Sequence, residues 1–138
     1  TPFSRPEGII ADRDSLYICC TSGGPLKRGQ IWKIIPVNKK ETQVELWYEV
    51  QDGASLNMPD NIVVAPWGDL IVCEDNSKVN RLWGITPKGN PYLVAENNYS
   101  GAEFAGVCFS HFDNTLFVNL QQEGLTLSID GNWQEVIS

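Results

Sequence analysis

Short apolar runs separated by turn residues recur along the whole chain. Three of them lie at residues 16–19, 70–73 and 116–119, and each follows a turn that contains an aspartate. Runs of this length, bounded by turn residues, are typical of β-strands. Because no stretch keeps a period of 3.6 residues, we expect almost no helix.

These runs belong to a unit that occurs three times. Residues 6–10 align with 59–63, and a third copy begins at Gly106. Further strands follow in each copy: the third strands at 30–35, 81–85 and 125–129, and the fourth strands at 44–48, 91–94 and 133–137. We therefore predict an all-β fold of three four-stranded β-propeller blades, at about 3–55, 56–100 and 101–138. A β-sandwich is the alternative, but repetition at a fixed period favours the propeller.

Three blades are too few to close a propeller, which normally has about four to eight. An open arc would leave the outer faces of its two end blades unburied, which repeat proteins tolerate poorly. We expect either that the three blades are half of a six-bladed wheel within a longer chain, or that two copies pair to make that wheel.

The first strand of each propeller blade lines the central channel, so the residues that open these strands gather at one end of the axis. Glu7, Asp60 and Glu103 each lie at or near that position. Carboxylates brought together in this way suit hard divalent cations. Arg5 adds a positive charge with bidentate reach, which suits phosphate. Metal ions and an arginine together are suited to hydrolysing a phosphate ester. The alternative is that these acids only cap backbone N–H groups in the turns before the strands.

Other polar residues and the cysteines have simpler interpretations. Residues 74–76, with the sequence Glu-Asp-Asn, could add oxygen ligands, but we interpret them as a solvated strand end. His111 is interpreted as an exposed turn residue. The four cysteines lie in apolar runs without a CxxC spacing, so we predict buried free thiols rather than zinc ligands or disulfides.

Composition and charge narrow the possible partners. The chain has 138 residues, of which 42% are hydrophobic and 20% charged, and this is enough to form a buried core. Its net charge of −7 argues against a nucleic-acid partner, which needs a basic face. No apolar run approaches the roughly 20 residues of a membrane-spanning helix.

Several longer motifs occur in a fixed order along the chain. They are RPE at 5–7, PDN at 59–61, a GDLIVCED run at 68–75, EFAG at 103–106, TLFVNLQ at 115–121 and GNW at 131–133. In content and order this set resembles the C-terminal portion of the PhoX-type alkaline phosphatases.

The resemblance implies a phosphomonoesterase built as a six-bladed propeller, with calcium ions and a pair of irons at its axis. It implies that Arg5 contacts the substrate phosphate and that Glu7, Asp60 and Glu103 are metal ligands. It also implies export to the periplasm or beyond, and a small-molecule phosphate ester as substrate.

The sequence departs from the family pattern in three places. Gly8 stands where relatives often have tryptophan after RPE, and His111-Phe112-Asp113 stands where they have Pro-Asp-Gly. The iron-ligating cysteine of the family lies in an N-terminal half outside this sequence, and none of the four cysteines matches its setting. We therefore expect the chain to pack against that half or against itself, and to be inactive or weakly active alone.

Two other functions fit a propeller with axial acids. One is a calcium-dependent, lactonase-type hydrolase, which would use a single calcium and offers no role for Arg5. The other is a propeller that binds a ligand or a protein without catalysis. Metal content separates the three: calcium with iron, calcium alone, or neither.

Overall fold

The computed structural model describes residues 3–51, 55–112 and 114–133, and these form β-strands with almost no helix. The all-β prediction is therefore confirmed. The strands are β1 (Pro6–Asp12), β2 (Ser15–Cys20), β3 (Gln30–Asn38), β4 (Glu41–Glu49), β5 (Pro59–Val64), β6 (Leu70–Glu74), β7 (Arg81–Ile85), β8 (Pro91–Glu96), β9 (Phe104–Phe109), β10 (Leu116–Leu120) and β11 (Leu125–Ile129).

The strands form three antiparallel sheets, each made of strands that follow one another along the chain. Sheet 1 contains β1 to β4, sheet 2 contains β5 to β8, and sheet 3 contains β9 to β11. This matches the predicted division into three units. The fourth strand predicted for the third unit falls mostly on residues 134–138, which lie outside the described residues.

The first two strands of each sheet pair in similar registers. Pro6 lies opposite Cys20 in sheet 1, and Pro59 lies opposite Glu74 in sheet 2. Phe104 lies opposite Leu120 in sheet 3. A β-bulge follows at once in sheets 1 and 2, and one pair later in sheet 3. The repeat seen in the sequence is thus also a repeat of backbone geometry.

The apolar core lies in two layers, one on each side of sheet 2. Between sheets 1 and 2, residues such as Tyr17 and Ile31 pack against Val72. Between sheets 2 and 3, residues such as Ile71 pack against Val118. All five residues of β6 are buried because alternate side chains enter alternate layers. Each fully buried aliphatic side chain stabilises the fold by about 1.5–3 kcal/mol.

The first strands lie side by side in the order β1, β5, β9, because β1 contacts β5 and β5 contacts β9. The sheets are therefore stacked in chain order with their first strands along one edge. This common edge is where the candidate site lies.

The cysteine prediction is correct in part. All four cysteines are free, and Cys19, Cys20 and Cys73 are buried. Cys108, however, is exposed, so the expectation that all four are buried was wrong. The reason is that Cys108 lies on the side of sheet 3 that faces away from sheet 2.

Candidate functional site

The candidate site begins where the chain enters the first strand of each sheet. Arg5 and Met58 both precede a proline and both have a left-handed backbone, with φ of 49° and 53°. This conformation is unfavourable for a residue with a side chain, and a following proline normally favours an extended one. Hydrogen bonds from the second strand help to hold it, since the Arg5 carbonyl accepts from the Thr21 N–H at 3.0 Å and the Met58 carbonyl from the Asp75 N–H at 2.9 Å.

A β-bulge follows immediately, and it contains two of the predicted ligands. Glu7 and Gly8 lie in the bulge of β1, and Asp60 and Asn61 lie in that of β5. A bulge redirects side chains relative to the regular strand and is frequent beside active sites. The Glu7 and Asp60 side chains therefore do not follow the regular up-and-down alternation of their strands.

The bulges also set how closely the first strands approach. A Cβ on Gly8 would lie 2.4 Å from the carbonyl oxygen of Asp60, so no side chain fits between β1 and β5 at this point. On the other side of β5, the Asn61 side chain accepts a hydrogen bond from the Val107 N–H at 2.9 Å. These two contacts fix neighbouring sheets to each other next to the site.

One arginine and two carboxylates make the direct contacts at the centre of the site. Arg5 Nη2 donates to Asp75 Oδ2 at 3.0 Å and lies 3.6 Å from Glu7 Oε1. The hydrogen bond to Asp75 is the main cause that raises the pKa of Arg5. Arg5 is thus held among acidic groups contributed by sheets 1 and 2.

Asp60 and Glu103 complete a carboxylate cluster, which we define as Glu7, Asp60, Asp75 and Glu103. Burial is the main cause that raises the pKa of Asp60, and the charges of Glu7 and Asp75 raise it further. Burial raises the pKa of Glu103 to about 7, again with help from Asp75 and Asp60, while Arg5 acts in the opposite direction on both groups. One guanidinium therefore leaves the four carboxylates only partly neutralised.

Glu103 does not occupy the same position as the other two predicted ligands. Its carbonyl accepts from the Gln121 N–H, as the carbonyls of Arg5 and Met58 accept from their own second strands. By this hydrogen bond Glu103 is the counterpart of Arg5, whereas by position in the bulge the counterpart of Glu7 and Asp60 is Gly106. The equivalence suggested by the sequence is only approximate, although the charge of Glu103 still acts on the same cluster.

Asp75 is a member of the cluster that the sequence reasoning interpreted as part of a solvated strand end. The ion pair with Arg5 gives Asp75 a role that this interpretation left out, although its side chain stays 32% exposed. A usable signal did exist, because Asp75 follows the last residue of β6 and β6 pairs with β5. Antiparallel pairing brings the end of one strand to the beginning of its neighbour, which here carries Asp60.

A comparison with protein-family models identifies the family. The model described as alkaline phosphatase PhoX matches residues 1–124, a span that contains Arg5 and the whole carboxylate cluster. This chain belongs to the PhoX alkaline phosphatase family. A search of curated proteins found no match. None of the described residues forms a helix with the length and hydropathy that a membrane crossing requires.

The PhoX family raises the question of whether these residues could hold metal ions. Carboxylate oxygens are the ligands that calcium prefers, so the cluster fits a hard cation in ligand type. Over residues 3–51, 55–112 and 114–133, however, no group of three histidine, cysteine, aspartate or glutamate side chains is arranged to hold an ion. In this PhoX chain the ligand type therefore suits a calcium ion, but the described residues do not form a closed coordination shell.

The charge of the cluster acts on two of the buried cysteines, Cys19 and Cys73. Burial is the main cause that raises the pKa of Cys19 and of Cys73, and the charge of Asp60 raises both further. These two buried thiols therefore ionise less readily than an exposed cysteine.

Behind the cluster lies Glu74, which the sequence analysis assigned to a solvated strand end; this was wrong, because the Glu74 side chain is fully buried. It accepts a hydrogen bond from the Asn57 N–H at 2.8 Å, and its other oxygen lies 4.0 Å from Arg81 Nη1. Burial raises the pKa of Glu74 to about 7. Through Asn57, Glu74 braces the segment that leads into Met58 and Asp60.

Proposed function

We propose that this chain forms part of the catalytic centre of a metal-dependent phosphomonoesterase of the PhoX type. The observation that carries the proposal is the position of Arg5 among four carboxylates at the common edge of the three sheets. A cation-binding group next to a fixed guanidinium is the combination that recognises a phosphate ester and stabilises the charge that develops on it.

Arg5 is proposed as the catalytic residue that contacts the substrate phosphate. At present its guanidinium is occupied by Asp75 and Glu7. When cations neutralise those carboxylates, the competition for the guanidinium weakens and its donors become available to phosphate oxygens. Metal binding and phosphate binding should therefore support each other.

Glu7, Asp60 and Glu103, together with Asp75, are proposed as ligands of calcium. The raised pKa values of Asp60 and Glu103 support this, because burial and then the neighbouring acidic charges disfavour the ionised carboxylates, and a bound cation would stabilise them. Calcium and iron, when bound in this family, would activate water and hold phosphate oxygens. Iron would need ligands beyond the carboxylate cluster, since none of the four cysteines matches the setting of the iron-ligating cysteine of the family.

The three sheets are proposed to be successive propeller blades, with β1, β5 and β9 around the axis. The side-by-side order of these strands supports this arrangement. Further blades would complete both the wheel and the coordination of the metals. On this proposal the chain acts on small phosphate esters, is weakly active at most when alone, and works in the periplasm or outside the cell, as members of the family usually do.

A calcium titration followed by calorimetry tests the metal site directly on this chain. We expect wild type to bind calcium, and Asp60→Asn to weaken binding by about tenfold or more. Glu45→Gln, which removes one charge from the exposed middle of β4, is the matched control and should bind like wild type. Equal binding by all three proteins, or no binding at all, would overturn the metal site.

A second titration, with inorganic phosphate in the presence of calcium, tests the role of Arg5. We expect Arg5→Ala to abolish phosphate binding, while Arg13→Ala, an exposed turn residue at the other end of β1, retains it. Elemental analysis for calcium and iron, with p-nitrophenyl phosphate as substrate, completes the test. If the protein binds calcium but neither iron nor phosphate, the lactonase type is favoured. If it binds neither calcium nor iron, a non-catalytic propeller is favoured.

A further inference from the structure

The ends of sheets 1 and 2 that lie away from the carboxylate cluster enclose a pocket of about 320 Å³. Strands β3 and β4 each have nine residues, whereas β7 and β8 have five and six, so sheet 1 extends beyond sheet 2 at this end. Asp12, which lines the pocket, lies roughly 17 Å from Glu7 along β1. The pocket is therefore separate from the candidate site, and its volume lies in the range of about 300–1,000 Å³ that is typical of small-molecule sites.

Aromatic side chains from both sheets line this pocket: Tyr17 from β2, Trp47 from β4, and Trp67 from the turn between β5 and β6. The Tyr17 and Trp47 rings meet edge to face, with their centroids 5.2 Å apart. Trp67 is also held by the third unit, because it stacks on Trp133 at 5.2 Å and meets Phe109 edge to face at 5.4 Å. Rings that are already fixed in this way offer contact area to a flat ligand and lose little side-chain entropy when it binds.

Two cationic side chains also line the pocket, Lys33 from β3 and Arg13 from the turn between β1 and β2. Lys33 Nζ lies 5.3 Å from the centre of the Tyr17 ring, which is within cation–π distance. Among residues 3–51, 55–112 and 114–133, no carboxylate forms an ion pair with either cation. With Asp12, the described lining carries two positive charges and one negative charge. The donors of Lys33 and Arg13 are thus available to an anion.

This excess of positive charge is local, because the whole chain has a net charge of −7. Glu45 lies opposite Lys33 in the register of β3 and β4, but it is not among the described residues that line the pocket. An acidic chain repels small anions over most of its surface, so a concave place with the opposite charge balance can select them. The lining therefore combines aromatic walls with a preference for negative charge.

We propose that this pocket binds a small aromatic molecule that carries one acidic group. The ring of the ligand lies against Tyr17, Trp47 and Trp67, and its carboxylate or similar anion accepts hydrogen bonds from Lys33 and Arg13. The proposal does not rest on the phosphatase function, because it uses the opposite end of the sheets and none of the residues of the carboxylate cluster.

The ring and the anion of the ligand are both required, because each contact is weak by itself. An ion pair that stays partly exposed to water contributes little, and an uncharged ring leaves both cations without a partner. We therefore expect an anion without a ring, including inorganic phosphate, to bind too weakly to be detected in this pocket. Phosphate binding then reports on Arg5 alone, so the two sites can be tested separately.

Calorimetric titration of the chain in chelator tests both parts of the ligand with three probes. We expect 2-naphthoate to bind with a dissociation constant below about 1 mM. Acetate, which lacks the ring, and 2-naphthylmethylammonium, which reverses the charge, should bind at least about tenfold more weakly. Lys33→Gln and Trp47→Leu should each weaken 2-naphthoate binding by about fivefold, whereas Lys33→Arg should retain it. Lys40→Gln, in the exposed turn between β3 and β4, is the matched control and should bind like wild type.

Three results would overturn the proposal. The first is equal binding of the three probes, or no binding of any. The second is a preference for the ammonium probe, which would mean that Asp12 and not the two cations controls the pocket. The third is unchanged 2-naphthoate binding in Lys33→Gln, which would place the ligand elsewhere. Circular dichroism checks that each variant is folded, and if Trp47→Leu is not, the comparison of Lys33→Gln with Lys33→Arg decides. Asp60→Asn, which should lose calcium binding, should bind 2-naphthoate like wild type.

Discussion

Replacing Gly8 with alanine tests the close approach of β1 and β5 beside the site. The new Cβ would lie 2.4 Å from the Asp60 carbonyl oxygen and 3.0 Å from the Asn61 Cα, whereas ordinary contact begins at 3.4 Å. The shortfall is about 1 Å against the carbonyl. Both contacts are with backbone atoms, so no side chain can rotate away to relieve them.

The loss of stability depends on how far β1 and β5 must separate to make room for the methyl group. If β1 and β5 separate by up to 1 Å, the contacts between sheets 1 and 2 lose about a quarter to a half of their dispersion energy locally. Inserting a methyl group into a packed interior costs about 1–3 kcal/mol. Because the obstruction here is backbone on both sides, we expect Gly8→Ala to lower the free energy of unfolding by about 2–3 kcal/mol.

Urea denaturation followed by tryptophan fluorescence measures this change. Gly101→Ala is the matched control, since a Cβ there meets nothing within 4 Å and its backbone needs no left-handed conformation. We expect this control to remain within about 0.5 kcal/mol of wild type or to be slightly more stable. If Gly8→Ala is as stable as the control, the close contact between β1 and β5 is incorrect. Because the clash displaces Asp60, calcium binding should weaken along with stability.

Three further measurements test separate parts of the structure. Asn61→Ala should cost about 1–2 kcal/mol because it leaves the Val107 N–H without its acceptor, whereas truncating the exposed Asn98 should cost almost nothing. A thiol reagent should modify one cysteine of the native chain, and Cys108→Ser should abolish that reaction; faster labelling of a second thiol would contradict the burial of the other three. For the chelated chain, the folded state holds a proton on Glu74 up to about pH 7, against 4.5 when unfolded, so stability should fall as pH rises between these values. Glu103, whose pKa is also raised to about 7, contributes to the same slope, so Glu74→Gln should reduce the slope without removing it. An unchanged slope would argue against the raised pKa of Glu74.

The strands were predictable because their signals are local. Alternation and turn residues indicate where β2, β6 and β10 begin, and the structure confirms each of them. The same signals reveal the repeat, since equivalent strands must bury equivalent faces. Exposure was harder to predict: Cys108 lies in an apolar run like the other cysteines, but its burial depends on a neighbouring sheet and not on its own strand.

The site was predictable only as far as topology determines it. Knowing that first strands share an edge was enough to bring Glu7, Asp60 and Glu103 into one electrostatic group. The left-handed backbone of Arg5 and Met58 was not predictable, because a residue that precedes a proline is normally extended. The role of Asp75 was missed because an acid after a strand is commonly solvated, and only the structure shows its contact with Arg5.

The bulges explain why stability and the candidate chemistry should be hard to separate in this fold. In β1 and β5 one bulge residue, Glu7 or Asp60, supplies a carboxylate to the cluster. The next residue controls the contact with a neighbouring strand, through the missing side chain of Gly8 and the hydrogen bond of Asn61. Because the two positions are adjacent on one short backbone segment, a change in strand spacing must also move the carboxylates. Substitutions at Gly8 and Asn61 should therefore alter cation binding even though neither side chain is a proposed ligand.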